Sequence, residues 1–98
     1  MDKKFWLLEN GDGDVHYVSE SLDALYVKAR ILIQEWRQEE LEKAKSIKEM
    51  RAINENYDYA IQELKATYND KSIKGFVVDE LLYCFEVDYC ENYNPENE

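Results

Sequence analysis

The sequence predicts an α+β fold in which a small antiparallel sheet, made of an N-terminal hairpin and a C-terminal strand, packs against a helical hairpin. Three observations support the predicted order ββααβ. A turn-forming stretch separates two short apolar runs near the N-terminus, a long middle segment has helical periodicity, and a stretch of alternating residues follows it. Strands and helices that segregate along a chain in this way are typical of layered α+β domains.

The N-terminal segment 3–19 is predicted to form a β-hairpin. Its turn, NGDG at 10–13, contains two dipeptides that tolerate positive φ angles. The run FWLL at 5–8 places apolar residues on both faces of the first strand, because successive strand residues point in opposite directions. We therefore expect part of the hairpin to be covered on both faces.

Two antiparallel helices, roughly 20–43 and 47–69, are predicted for the middle of the chain. Ser19 or Ser21 can cap the first helix, and Ser46 with Glu49 has the spacing of a capping box. Each helix carries an apolar stripe at heptad-like spacing, which is typical of amphipathic helices that pack together. The stripes are Leu22, Leu25, Ala29, Leu32 and Trp36 in the first helix, and Ile47, Met50, Tyr57, Ile61, Leu64 and Tyr68 in the second.

The point at which the first helix ends is left open by the sequence. No Gly or Pro lies between Ser21 and Lys74, and the apolar stripes stay in phase across the polar stretch between them. One continuous helix of about 48 residues would be about 72 Å long and would require a dimer. A break at 54–58 would instead give three shorter helices. The two-helix hairpin is the preferred prediction, with both alternatives open.

A strand over 83–90 is predicted because apolar and polar positions alternate there with a period of two. We expect it to pair antiparallel with the N-terminal hairpin. The residues expected to face the helices are Tyr83, Phe85, Val87 and Tyr89, and those expected to face solvent are Cys84, Glu86, Asp88 and Cys90. The preceding stretch 76–82 is either a bulged strand or a short helical turn. These elements predict a single domain over 1–92 with a frayed acidic tail at 93–98.

The charge distribution is the most informative feature of the composition. The 98 residues carry a net charge of −10, divided as −4 over 1–27, +1 over 28–74 and −7 over 75–98. Acidic ends of this kind argue against binding nucleic acid directly and against an anionic membrane surface, because both would repel them. The chain has no apolar run of about 20 residues and no apolar leader of about 7–15 residues, so a cytoplasmic protein, in a bacterium or its host, is predicted.

Catalytic and metal chemistry is not indicated by any motif. Asn10, Asp12 and Asp14 resemble the start of a calcium loop, but its twelfth position, which needs Glu, is Ser21. His16 is the only histidine and has no local nucleophile beside it. The two cysteines, at 84 and 90, are too far apart in a strand for a disulfide and lack companions for zinc. We therefore expect a non-enzymatic protein without cofactor or metal.

The acidic C-terminal strand suggests a surface for a basic partner. Carboxylates on alternate strand residues lie roughly 7 Å apart, which would match every second phosphate of a nucleic-acid strand. The hypothesis is a nucleic-acid mimic that blocks a basic site on a nuclease or another nucleic-acid-binding protein, without contacting nucleic acid or membrane. The residues predicted to meet this partner are Glu80, Glu86, Asp88, Glu91, Tyr83, Tyr89, Asp12 and Asp14.

In size, acidity and organisation the chain is similar to inhibitors that phages and plasmids carry against host restriction or CRISPR nucleases. No motif in the sequence assigns it to a family of such inhibitors. The alternative hypothesis is a structural or regulatory homo-oligomer that forms through the heptad-patterned helices.

Overall fold

The computed structural model describes residues 5–78 and 81–87 and confirms the α+β class. A four-stranded antiparallel sheet packs against a helical hairpin, and the order is ββααββ, one strand more than predicted. The elements are β1 (Phe5–Asn10), β2 (Val15–Ser19), α1 (Leu22–Lys43), α2 (Ile47–Asn69), β3 (Phe76–Val78) and β4 (Leu82–Val87). The additional strand is β3, which lies in the stretch for which a bulged strand or a helical turn was expected.

The sheet has the strand order β2-β1-β4-β3, so the two hairpins meet through the central pair β1 and β4. Their register runs from Phe5 opposite Val87 to Asn10 opposite Leu82. This contact confirms the predicted antiparallel pairing of the C-terminal strand with the N-terminal hairpin. It also brings residues from near both ends of the chain together, across the whole helical segment.

The break between the helices follows from capping rather than from Gly or Pro. Ala44 and Ser46 have extended backbone angles, with ψ of 139° and 160°. The Ser46 hydroxyl accepts a hydrogen bond from the backbone N–H of Glu49 (3.1 Å), and the Glu49 carboxylate accepts one from the N–H of Lys45 (2.9 Å). The Ser46 bond is the one that the predicted capping box requires, whereas the Glu49 bond comes from Lys45, one residue before the N-cap, and not from Ser46 itself. Neither the continuous helix nor the three-helix alternative is present.

The helices cover one face of the sheet. The core residues of α1 are the predicted ones, since Leu25, Ala29 and Leu32 are buried against the sheet and α2. The stripe that suggested oligomerisation is therefore used within a single chain. In α2 the C-terminal half of the predicted stripe packs against the core, with Leu64 fully buried, whereas Ile47 is 72% exposed. The hairpin extends beyond the sheet, which gives the protein its elongated dimensions of 55 × 27 × 19 Å.

The predicted orientation of β4 is wrong. Leu82 and Cys84 lie in the helix-facing core, whereas Phe85 is 38% exposed and Tyr83 is only half-buried. The register explains the inversion, because Cys84 stands opposite the buried residues Leu8 and Phe76. The expected faces of Asp88, Tyr89 and Cys90, like the tail at 93–98, lie outside the described residues.

The N-terminal hairpin is buried on both faces, as its apolar pattern predicted. Leu8 belongs to the helix-facing core, and its neighbour Leu7, which points the other way, is also buried. Leu7 stands opposite Val18 of β2, which is buried as well. Neither helix of the described chain combines the length and the apolar character that a membrane span requires.

We predict that Gly75→Ala destabilises the fold more than Gly13→Ala. Both glycines have positive φ angles, +113° and +88°, which cost an L-residue about 1–2 kcal/mol. A Cβ at Gly75 would in addition overlap the carbonyl oxygen of Cys84, whereas a Cβ at Gly13 would meet open space. Urea unfolding should show losses of about 1–2 kcal/mol for Gly13→Ala and more than about 3 kcal/mol for Gly75→Ala. Equal losses would contradict the close approach at Gly75.

A second prediction concerns alkaline pH. Burial raises the pKa of the Cys84 thiol from its ordinary value of 9.0 to about 12. The unfolded chain therefore releases this proton first, so the stability that is present below pH 9 is lost as the pH rises toward 12. As the pH rises from about 8 to about 10.5, the free energy of unfolding should fall by roughly 2 kcal/mol less for Cys84→Ala than for the unaltered protein. Urea titrations under reducing conditions measure this difference. Parallel pH profiles would show that Cys84 is not buried as described.

Candidate partner-binding groove

The turn between β1 and β2 holds two exposed carboxylates in a fixed backbone. The side-chain oxygen of Asn10 accepts hydrogen bonds from the backbone N–H groups of Asp12 and Asp14, both at 3.0 Å. Gly13 supplies the positive φ angle that the turn requires. The N–H of Gly11 donates to the carbonyl oxygen of Leu81 (3.1 Å), which ties the turn to the residue before β4.

A groove lies beside this turn, at the place where the helices leave the sheet. Two depressions of about 310 and 170 Å³ share Tyr57 and Leu81 in their walls and so adjoin one another. Their combined lining, which we call the groove, consists of Asn10, Gly11, Asp12, Trp36, Glu40, Ile53, Asn56, Tyr57 and Leu81. The rings of Trp36 and Tyr57 form part of its walls. The Asp12 carboxylate lines the larger depression, and the Glu40 carboxylate lines the smaller one.

The antiparallel packing of the helices places these side chains together. Arg37 of α1 forms an ion pair with Asp58 of α2 (2.9 Å), which joins the two helices at this level. Trp36 is half-buried at the end of the core stripe of α1, and its ring meets His16 edge-on at 6.1 Å between centroids. Tyr57 is half-buried next to Asp58, across from α1.

The electrostatics of the groove are dominated by carboxylates. The pKa of Tyr57 is raised from 10.0 to about 12, first by burial, then by a hydrogen bond to Glu40, and then by the negative charges of Glu40 and Glu39. The phenol is therefore protonated at neutral pH and lies in the same depression as the Glu40 carboxylate. Arg37, the basic residue closest in sequence to Trp36, is paired with Asp58. A cation that enters the groove would meet the carboxylates of Asp12 and Glu40.

Aromatic faces beside carboxylates form a site suited to a cationic side chain. A guanidinium or ammonium group can stack on Trp or Tyr and hydrogen-bond to the carboxylates at the same time. In the described part of the chain, no three His, Cys, Asp or Glu side chains form a cluster that could hold a metal ion. The Asn10 side-chain oxygen, a calcium ligand in the sequence pattern, instead accepts backbone hydrogen bonds.

The predicted partner-binding residues are only partly brought together. Asp12 lines the groove and Asp14 lies in the same turn. Glu86 stands opposite Trp6, about 13 Å along β4 from the residue that pairs with Asn10. Tyr83 is on the other face of the sheet from Glu86, because the two are an odd number of residues apart. The remaining predicted residues, Glu80, Asp88, Tyr89 and Glu91, lie outside the described residues.

Of the nine groove residues, only Asp12 was predicted from the sequence to meet a partner. Tyr57 carried a signal, since it belongs to the α2 stripe but lies where that stripe ceases to be covered by the sheet. Glu40 is one of several acidic residues in a polar stretch, and Leu81 is the first of two adjacent leucines, the second of which begins β4. Neither had a local pattern that distinguished it, because its role depends on the contact between distant segments.

Comparisons with models of protein families, with curated proteins and with solved structures found no match to this chain. Its function is therefore inferred from its own residues and their geometry.

Proposed function

We propose that this protein is a non-enzymatic acidic binding protein that occupies a basic site on another protein. The proposed partner is a nuclease or other nucleic-acid-binding protein, whose basic site is blocked because the acidic surface takes the place of nucleic acid. Inhibitors that phages and plasmids use against host restriction or CRISPR nucleases would be of this type. The observation that carries the proposal is the groove, in which Asp12 and Glu40 flank the rings of Trp36 and Tyr57.

Charge supports this choice of partner. The net charge of −10 belongs to only 98 residues and would steer the protein toward a positive surface. Near the groove lie the carboxylates of Asp12, Asp14, Glu39 and Glu40. The nearby Arg37 is paired with Asp58. Sites that bind nucleic acid are rich in Arg and Lys, which are the side chains that the groove suits.

The aromatic rings add a feature that charge alone would not supply. Nucleic-acid-binding sites use Arg both to pair with phosphates and to stack on bases. A groove with carboxylates and ring faces offers such an Arg both kinds of contact. This combination favours a nucleic-acid mimic over a protein whose acidity serves solubility only, because solubility needs no ring beside the carboxylate.

We predict that binding depends on the groove and not on net charge alone. The full chain, immobilised, should capture a basic nucleic-acid-binding protein from bacterial lysate at low salt and release it at about 0.5 M salt. Asp12→Lys/Glu40→Lys should reduce the captured amount at least about tenfold. The matched control is Glu20→Lys/Glu55→Lys, which makes the same change in charge at two exposed residues outside the groove. It should capture close to the normal amount.

Competition and a third variant complete the test. An oligonucleotide that the captured protein binds should displace it, since both ligands would use one site. Glu86→Lys/Asp88→Lys examines the acidic strand separately and shows whether that end of the sheet also contributes. Equal losses in the groove variant and its matched control, or capture that an oligonucleotide cannot displace, would contradict the proposal. Circular dichroism on each variant establishes that it is folded.

A further inference from the structure

The solvent-facing side of α1 carries a second heptad pattern, which the core does not use. Val27 is 54% exposed and Ile31 is 47% exposed, although both are large apolar residues. They belong to a row with spacings of 3, 4, 3, 4 and 3, which we call the outer seam: Ala24, Val27, Ile31, Gln34, Gln38 and Leu41. A shallow depression of about 510 Å³ follows the middle of this row.

The outer seam lies on the side of α1 opposite to the sheet. At about 100° per residue, Val27 and Ile31 point away from Leu25, Ala29 and Leu32, which are buried in the core. Another helix could therefore lie along the outer seam without displacing α2 or the sheet. None of the seam residues lines the groove, so a contact made along the seam is independent of the proposed function.

The charges beside the outer seam indicate what that other helix would be. Asp23, Arg30 and Arg37 flank one side of the seam, and Lys28, Glu35 and Glu42 flank the other, each group at intervals of seven residues. In a parallel two-stranded coiled coil, a residue of the first group meets the residue five positions later on the other helix. The resulting pairs are Asp23 with Lys28, Arg30 with Glu35, and Arg37 with Glu42. All three pairs are of opposite charge.

We infer that α1 forms a parallel, in-register, two-fold contact with α1 of a second copy of this chain. The β-branched Ile31 at the first core position of the heptad is the choice that favours two parallel strands. An antiparallel pair centred on Ile31 and Gln34 would set Arg30 against Arg37 on one flank and Lys28 against Glu35 on the other, so its charges would partly oppose one another, whereas all three pairs of the parallel arrangement are of opposite charge. Gln38 can hydrogen-bond across the contact, whereas the Gln34 side-chain oxygen already accepts a hydrogen bond from Arg37. With so short a seam the dimer is weak.

Of the three pairs, Arg30 with Glu35 is the one whose side chains are least engaged in contacts within their own chain. Arg37 is already bound to Asp58, Asp23 accepts a hydrogen bond from the Tyr68 hydroxyl, and Lys28 lies over the Tyr17 ring. Arg30 is exposed and approaches Tyr26 only at 6.0 Å from the ring centroid. The pair of Arg30 with Glu35 should therefore contribute most to the contact, and it occurs twice in the dimer.

The first experiment is sedimentation equilibrium on the full chain over a concentration series up to about 1 mM, which covers weak association. The unaltered protein should dimerise, and Ile31→Lys should weaken the dimer at least about tenfold. Met50→Lys is the matched control, since Met50 is an exposed apolar residue on α2 away from the outer seam. Arg30→Glu should weaken the dimer about tenfold, and Arg30→Glu/Glu35→Arg should restore it. A chain that stays monomeric, or a dimer that Ile31→Lys leaves intact, would overturn the inference.

The second experiment determines the orientation of the helices. In a parallel, in-register pair each seam residue faces its own copy, so Val27→Cys should form an intermolecular disulfide under mild oxidation. In the antiparallel pair these residues would be about 16 Å apart along the axis, beyond the roughly 7 Å that a disulfide spans. Cys90→Ser is included in the background, and Cys84 is buried. Tyr59→Cys, exposed on α2, is the control that should not cross-link. Cross-linking at Tyr59 but not at Val27 would refute the parallel contact.

Discussion

The pairing of β1 with β4 is the contact on which the rest of the structure depends. Each hairpin alone would be a two-stranded ribbon, which is marginally stable in water. Their union creates a four-stranded sheet with a helix-facing side wide enough to bury Leu8, Phe76 and Leu82 beneath α1 and α2. Gly75 is required nearby, because only a residue without a Cβ can lie so close to the Cys84 carbonyl while β3 pairs with β4. The contact joins residues far apart in sequence, with the helical hairpin between them in the chain, so its closure carries the entropy cost of a long loop.

Features that depend on neighbouring residues were predictable from the sequence. The capping box of Ser46 and Glu49 is local, and it marked the break between the helices although no Gly or Pro is present. The orientation of β4 was not predictable, since Leu82 and Cys84 are as apolar as Tyr83 and Phe85. The alternation shows that the two sets of side chains point to opposite faces of the sheet, but it does not show which set faces the helices. In the structure Cys84 stands opposite Leu8 of β1 and Phe76 of β3, and the three residues of β3 were too few to give a clear pattern in the sequence.

The groove combines local and distant features in the same way. Its turn was predictable, because the Asn10 side chain and Gly13 form it from residues within five positions of one another. Tyr57 and Leu81 join it only because α2 lies antiparallel to α1 and because the Gly11 N–H reaches the carbonyl of Leu81. The acidic C-terminal strand first suggested a binding surface, and further carboxylates lie at the opposite end of the sheet. These carboxylates are held beside the half-exposed rings of the groove. Such placement matters more for recognition than total charge does.

Helix α1 has three sides with different chemistry, and the difference argues that its outer side is selected for contact. One side carries Leu25, Ala29 and Leu32 and is explained by the core, and the side facing α2 carries Tyr26, which stacks on Tyr68. The third side faces solvent, where helix stability alone would favour Glu, Lys, Gln or Ala. Val27 and Ile31 are β-branched, so they lower helix propensity there and expose apolar area to water. Both costs are offset when a second helix covers the outer seam.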